Sequence, residues 1–588
     1  MNKAGTMPGA ARSAAKNPFA RPIRHHYPVL ILGAGINGCG LFRDLCAQGV
    51  DCLLVDKGDF CSGASAAPSR LIHGGIKYLE TGEFRLVKES ALERNLLLRN
   101  APHYVKPLET VLPIRSIWGG LWASALRFLR LPSKLNDRGA IITKVGLTLY
   151  DLYGRYFQTM PSHRFLRGST LRREMPEMDP QVTFAGIYHE GRVTHAERLA
   201  LELVRDGLAL NEASVARNYM PAVGTGENGT VLLREEATGE THAVSADIVV
   251  NAGGAWIDKV NAVLGIDSRH MGGNKGAHLV VHNPHLFGAL RGRMIYFGTR
   301  DGRVNLLYPL MGNVLVGSTD IPVDDPDEAI CDENETRYLL DVVSEIFPHI
   351  RLTKDDVVFT YWGVRPLPRT EGFDPGAVSR DHHIAEDQLP GASTPILSLI
   401  GGKWTTFRSF SEQAADLILE RLGRSRRQDT RNMPIGGGRS YPADDGQRHE
   451  FIADLAESCG TDLRRNAILL ERYGAYARTV ASQAGDGEAL EDLPDFSHAE
   501  IAFLCHTESV VKLCDLLFRR TDIALSGKLS GKIIETTARI AAGALGWDAE
   551  RTQAEIADAK QQARLHGVNA VLKPPRHGDQ IQSPRHSC

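Results

Sequence analysis

A chain of 588 residues has room for roughly two to four domains and a large buried core. With 68 Lys and Arg against 70 Asp and Glu, the net charge of −2 supplies no global field for a polyanion, so no nucleic-acid partner is expected. The 9 cysteines (39, 46, 52, 61, 331, 459, 505, 514 and 588) form no CxxC pair and no metal-ligand cluster, which excludes a metal motif and suits reduced thiols in a cytosolic protein.

Residues 1–26 contain five Lys or Arg, no acid, and several Ala, Ser and Pro. They read as a disordered basic tail. The composition also suits an organelle-targeting peptide, but it lacks the apolar core of a secretory signal. No run of about 20 apolar residues follows, so no spanning helix is expected. The first ordered unit is Val29-Leu30-Ile31-Leu32-Gly33-Ala34-Gly35-Ile36-Asn37-Gly38. Four apolar residues predict a buried parallel strand. Gly33 allows the tight turn, Gly35 lets a pyrophosphate approach the backbone, and Gly38 lets the next helix pack on the strand. Free N–H groups at that helix's N-terminus, where Asn37 sits, hold phosphate charge. A second apolar strand, 52–55, ends in Asp56, where a carboxylate can bind ribose hydroxyls. Strand, glycines, helix, strand and acid in this order predict a dinucleotide site; a glycine-rich structural corner is the bland alternative.

Small and hydroxyl residues dominate 57–69, including Lys57, Ser65 and Ser69, and are followed by Gly74-Gly75 and the pair Lys77-Tyr78. Such a loop can lie flat on a cofactor, offering hydroxyl and backbone donors without bulk. The run Ser69-Arg70-Leu71-Ile72-His73-Gly74-Gly75-Ile76-Lys77-Tyr78-Leu79 resembles the FAD-dependent, quinone-linked glycerol-3-phosphate dehydrogenase family, whose members read Ser-Lys/Arg-Leu-Ile-His-Gly-Gly-x-Arg-Tyr-Leu here. The resemblance implies FAD held by Gly33, Gly35, Asn37, Gly38, Asp56, Lys57, Ser65, Ser69 and Leu71. Two departures stand out: Ala64 replaces a usual hydroxyl, and Lys77 replaces arginine, keeping the charge but losing the planar fork.

Residues 85–99 predict an amphipathic helix, stopped by Ala101-Pro102-His103. The stretch 114–131 mixes Trp118, Trp122, Phe128 and several Leu with Arg115, Arg127 and Arg130, and no acid interrupts it. It fits either a membrane interface or a buried helix with a basic rim; likeness to a family of monotopic membrane enzymes favours the membrane. At 188–199 the chain departs from the family's Asp-Ala-Arg-Leu, with His195 in place of the acid and Glu197 inserted before Arg198. Strands follow at 214–219, 230–234 and 246–251, the last entering a turn at Gly253. The resemblance places Val215 or Ala216 near the adenine and the Gly253 turn over FAD.

A strand around 273–281 carries His278, and 305–309 with 314–317 predict a hairpin leading into Ser318. Then come Gly363, Arg365 and, at 379–381, Arg380. Arg365 offers a planar fork suited to phosphate or carboxylate. The strand 397–400 meets Gly401-Gly402-Lys403-Trp404-Thr405, from which a helix runs to about Leu422 and aims its positive end at the charge a reduced flavin gathers. With the family pattern, Gly402, Lys403 and Thr405 make the second half of an FAD fingerprint. Residues 424–446 read as a linker, 447–565 as a helical domain (helices at 462–473, 475–484, 498–517 and 529–541), and 566–588 as a disordered tail.

The resemblance covers about residues 27–560. It implies an α/β fold in which an FAD-binding Rossmann-like domain is interleaved, over 27–423, with a β-sheet substrate (cap) domain, plus the C-terminal helical domain. It implies oxidation of sn-glycerol 3-phosphate to dihydroxyacetone phosphate, with hydride passing from C2 to flavin N5 and electrons passing to ubiquinone. Peripheral attachment to the cytoplasmic face of the inner membrane follows, or a cytoplasmic location. The substrate would be held by Arg365 and Arg380, with Lys77, Tyr78 and Ser318 in support. His278, Arg365 and Lys403 would be catalytic, His278 as the leading base. Three alternatives stand beside this: a dehydrogenase of another polyol phosphate such as erythritol 4-phosphate, an amino-acid oxidase releasing peroxide, and a catalytically silent flavin-fold binding protein. Nothing in the sequence sets the oligomeric state, and a homodimer is admissible.

Overall fold

The computed structural model describes residues 17–75, 83–117, 139–154, 160–369 and 382–568. Lys77, Tyr78, Arg380 and most of the stretch 114–131 lie outside the described residues. The first sheet centres on the strand His26–Leu32, parallel to Cys52–Val55 on one side and to Thr241–Asn251 on the other, with Leu30 beside both Leu53 and Val249. Val215–Arg217 extends it parallel beyond Cys52–Val55, Pro395–Ile400 extends it parallel beyond Thr241–Asn251, and His383–Gln388 closes that edge antiparallel. Parallel strands covered on both faces must be apolar on both, which explains the unbroken run at 29–32. One face packs under the helices Ile36–Ala47, Ala196–Leu210 and Phe407–Arg421, through Leu41, Phe42, Leu203, Phe410 and Ile418.

A second sheet, 10-stranded among the described residues and mostly antiparallel, draws its strands from two stretches, Leu71–Ile72 to Phe184–Val193 and Met271–Val281 to Val357–Pro368. Its longest pair joins Met271–Val281 to Val357–Pro368, with Asn274 opposite Arg365, Gly276 opposite Gly363 and His278 opposite Tyr361. The chain thus leaves the first sheet twice for the second and returns, which is the interleaving that the resemblance implied. The predicted hairpin is present as Val304–Leu310 against Asn313–Gly317.

The C-terminal helices Asp445–Cys459, Leu463–Tyr473, Ala477–Ala484, His498–Thr507, Gly531–Leu545 and Ala549–Leu565 form a helical domain on the second sheet. Leu469, Leu504, Leu517 and Ile534 share one apolar cluster with Leu108, Val280, Tyr308 and Leu315 of the strands. Their starts follow local chemistry: Asp462, Ser497 and Ser530 each accept a backbone N–H three residues on. The helix expected over 498–517 stops at Thr507 instead. Ser509 takes φ 51°, and its hydroxyl bonds Asn218 of the first sheet's domain, so a tertiary partner overrides the helical pattern. Residues 424–446 lie packed: Arg426 pairs with Asp44, and a Cβ on Gly437 would meet the Tyr473 carbonyl at 2.0 Å.

Candidate functional site

A cavity of about 540 Å³ runs along the C-terminal edge of the first sheet. Gly33 begins it with φ 109°, and a Cβ there would sit 2.6 Å from the Ala252 carbonyl oxygen. Gly35 caps the helix Ile36–Ala47, and a Cβ on Gly38 would overlap the Gly33 carbonyl at 1.9 Å. Only glycines allow strand, turn and helix to approach this closely. Asp56 faces the turn: its carboxylate accepts the Ala34 N–H at 2.6 Å and the Gly58 N–H at 2.8 Å. Burial pushes Asp56 up to about 6, while these two bonds from Gly58 and Ala34 oppose the rise. Each oxygen keeps a second lone pair for a ligand hydroxyl.

The distant half of the fingerprint closes on the near one. Gly402, at φ 89°, lies beside Asn37, whose Nδ2 donates to the Gly401 carbonyl across 364 residues of sequence. Asn37 Oδ1 is buried with no protein partner among the described residues and lies in the cavity wall. Lys57, Ser65, Gly253, Gly402 and Lys403 line the same wall. The Ser65 hydroxyl accepts the Ile36 N–H at 2.9 Å, and Trp404 Nε1 donates to the Ser65 carbonyl. The expected helix after Gly402 begins only at Phe407, because Trp404 and Thr405 are drawn into the loop; Thr405 Oγ1 accepts the His73 N–H at 3.2 Å. Glycine cradle, helix N-terminus, buried carboxylate and orphaned amide oxygen together fit the pyrophosphate and ribose of a dinucleotide.

Two further residues expected at the cofactor are not among those lining the cavity. Val215 packs in the apolar cluster with Leu32, Leu53 and Val55, while Met220, Pro221 and Ala222 line the cavity. Leu71 lies in the short edge strand Leu71–Ile72, paired to Arg192 and Gly191.

The second sheet forms the far wall. Gly276 and Gly363 face each other across the ladder, and a Cβ on Gly363 would meet Ala67 at 2.9 Å, so the 62–69 loop lies directly on the strand. Arg365 lies two residues along the strand from Gly363. Its NH1 donates to Asp320 at 2.8 Å and Asn274 at 3.0 Å, and its NH2 to Ser318 at 3.2 Å and the Thr319 carbonyl. Pro366, the next residue, shares the cavity wall with Lys403, whose Nζ donates to Ser90 at 3.0 Å. His278 is buried, stacked on Tyr361 at 4.9 Å, with Nε2 2.8 Å from the Ser69 hydroxyl. Burial, with the nearby Arg365 and Arg70 charges, brings it down to about 3, so it is a neutral imidazole at physiological pH. Its Nδ1 has no protein partner among the described residues.

Several contributors carry no motif. Glu197, partly buried, forks with buried Arg70, which gives the inserted acid a structural partner. His195, packed near Tyr104 and brought down to about 3 by burial, is likewise neutral. Asp327 bridges Lys57, Trp256 and Lys259 at the cavity rim. Tyr150 and Glu190 accept the Gly74 N–H at the foot of the His-Gly-Gly loop, and Arg94 donates to both of them. Only the acid-rich run 324–328 could have drawn notice in the sequence, since the other residues lie far apart along the chain. Among the described residues no His, Cys, Asp and Glu group could hold a metal ion.

Comparison with known proteins supplies the family. The model of the FAD dependent oxidoreductase family matches residues 28–406, and that of the C-terminal domain of alpha-glycerophosphate oxidase matches 428–552. A glycerol-3-phosphate dehydrogenase from Synechocystis is 33% identical over 526 residues, covering 85% of this chain and 89% of that one. The aerobic glycerol-3-phosphate dehydrogenase of Escherichia coli is 31% identical, covering 84% and 93%, and a D-erythritol 1-phosphate dehydrogenase from Brucella abortus is 32% identical, also covering 84% and 93%. The fold matches that of the X-ray structure of the glycerol-3-phosphate dehydrogenase from Bacillus halodurans complexed with FAD, with a TM-score of 0.70 at 23% identity over 92% of this chain and 95% of that one. This chain is a member of the FAD dependent oxidoreductase family, with FAD as its cofactor, and within it belongs with the glycerol-3-phosphate dehydrogenases and their erythritol-phosphate relative.

Proposed function

We propose that the protein oxidises the C2 hydroxyl of sn-glycerol 3-phosphate to the ketone of dihydroxyacetone phosphate. FAD, when bound, supplies the hydride acceptor. The observation that carries the reading is the glycine-lined cavity with Lys403 and Pro366 in its wall, beside the strand on which Arg365, the residue before Pro366, is held by Asp320; a cation of each kind suits a phosphate and a forming ketone oxygen. Asp320 and Asn274 hold one guanidinium nitrogen of Arg365, and Ser318 with the Thr319 carbonyl hold the other, so the cation is fixed in place before substrate arrives. Ser318, bonded to the other nitrogen, adds a hydroxyl for the same anion. His278 takes the C2 hydroxyl proton; its neutrality and uncommitted Nδ1 support that role, and an adjacent phosphate dianion raises its basicity. Lys77, Tyr78 and Arg380 complete the phosphate site by the family pattern.

Electrons then pass to a membrane quinone from a peripheral position. Ile141, Val145 and Leu152 are exposed along one side of the helix Ala140–Gly154, with Ile117, whose carbonyl accepts the Ile141 N–H, exposed beside it, and such a stripe suits a lipid interface. No helix among the described residues is long and apolar enough to cross a membrane.

A four-carbon polyol phosphate is the second reading. The Brucella relative matches this chain as well as most of the glycerol-3-phosphate dehydrogenases do, and Lys77 departs from the usual arginine. Anaerobic addition of each phosphate to the purified yellow protein decides between them. Rapid bleaching by glycerol 3-phosphate alone is expected; faster bleaching by erythritol phosphate moves the assignment to that substrate, and bleaching by neither removes both.

A further inference from the structure

We propose that the C-terminal helical domain positions the nucleotide end of the FAD site, through a grip by residues 509–520 that needs both sides of one seam: Asp59 beside the corner that holds Asp56, and the facing segment Asn218–Tyr219. The inference rests on reading the glycine-lined cavity as the FAD site, and it assigns Asp59, Arg519 and Arg520 as positioning residues that touch no ligand themselves.

Asp59 lies three residues beyond Asp56, and its side chain is fully buried. Its Oδ2 accepts from Arg519 Nε at 2.5 Å and Arg520 NH1 at 2.7 Å; its Oδ1 accepts from Arg520 NH2 and from Asn218 Nδ2, both at 2.8 Å. Both arginines belong to the C-terminal domain. Burial alone would raise the Asp59 carboxyl, but the Arg520 and Arg519 charges outweigh it and hold the group far below the usual carboxylate range, so it stays ionised.

The facing segment is tied the same way. Asn218 Nδ2 also donates to the Ser509 carbonyl at 2.9 Å, the Ser509 hydroxyl donates back to Asn218 Oδ1 at 2.9 Å, and the Tyr219 hydroxyl donates to Asp515 at 2.5 Å. The two segments are then joined to each other by backbone: Asp56 N–H donates to Arg217, Tyr219 N–H to Gly58, and Met220 N–H to Asp56. Asp56, Gly58 and Met220 all line the cavity. Two walls of the nucleotide end therefore meet at one seam, and residues 509–520 grip both sides of it. A buried carboxylate shared by two guanidiniums is stable only in good geometry, so the seam has one favoured position. A ribose-binding carboxylate needs that constraint, because its hydrogen bonds fail beyond a few tenths of an ångström.

Coupling of this kind is reciprocal: if the C-terminal domain stabilises the FAD-binding geometry, FAD must stabilise the C-terminal grip. The test compares amide hydrogen exchange in the holoenzyme and in the full-length chain stripped of FAD. We expect FAD to slow exchange at 33–38 and 56–58, and also at 508–524. Slowing at the first two segments without the third overturns the coupling and leaves the site reading intact; no slowing at 33–38 and 56–58 removes the site reading and the proposal with it. A second measurement uses the double variant Tyr219→Phe, Ser509→Ala, which loses two bonds of the grip and keeps every ion pair. Titration of the stripped protein with FAD should show a Kd raised at least about fivefold, with the helical circular dichroism unchanged. A folded double variant binding FAD as tightly as wild type would overturn the proposal.

Discussion

Arg365 is valuable for its shape as much as for its charge. Its guanidinium spans Asp320 and Asn274 through one nitrogen and Ser318 with the Thr319 carbonyl through the other, a span that a lysine ammonium cannot reproduce. Arg365→Lys is expected to lower kcat/KM for glycerol 3-phosphate by about 100-fold, with the loss shared by KM and kcat, as read from steady-state kinetics with an artificial electron acceptor. His278 carries a stability consequence. Its folded-state value near 3 lies below the ordinary His value of about 6.5, so between these limits the unfolded chain binds more protons. Stability therefore rises with pH through this window and is lost as pH falls. His278→Asn should narrow the drop in Tm between about pH 7.5 and 5.5, and equal drops in variant and wild type would count against a neutral buried imidazole. His195 contributes in the same direction and keeps part of the slope in that variant.

Among the elements, the corner from His26–Leu32 into Ile36–Ala47 was fully legible, since a strand, a positive-φ turn and a helix N-terminus are each encoded within a few residues. Gly33→Ala adds a Cβ 2.6 Å from the Ala252 carbonyl at φ 109°, so the variant should purify colourless, with its circular dichroism preserved and its FAD affinity reduced at least about 100-fold. The helix Phe407–Arg421 was legible in kind but not at its start, because backbone groups of the 62–75 loop region, the Ser65 carbonyl and the His73 N–H, capture the side chains of Trp404 and Thr405 before helical bonding begins. The helix Ala140–Gly154 was not singled out from its sequence, although its exposed Ile141, Val145 and Leu152 form one stripe. Val145→Asp with Leu152→Asp should reduce co-sedimentation with anionic lipid vesicles while changing stability by no more than about 0.5 kcal/mol per site, because both side chains are exposed.

At the scale of the whole molecule, buried ion pairs join the C-terminal domain to the rest. Arg198, on the helix Ala196–Leu210, forks onto Glu508 at 2.9 Å with both side chains buried. Glu508→Gln leaves Arg198 without its charge partner and should cost about 3–5 kcal/mol, lowering the urea midpoint of the whole chain. By itself the sequence determined the dinucleotide corner, the second glycine pair, the helical character of the C-terminal third and the family, because backbone preference and short motifs are written in neighbouring residues. Tertiary structure alone decided that Gly402 meets Asn37, that Ser69 bonds the proposed base His278, that inserted Glu197 answers Arg70, and that Asp59 is gripped by Arg519 and Arg520. Those partners are separated by 127 to 461 residues, and nothing local specifies them; packing buries at least part of each pair, and burial then demands that their charges and hydrogen bonds be met.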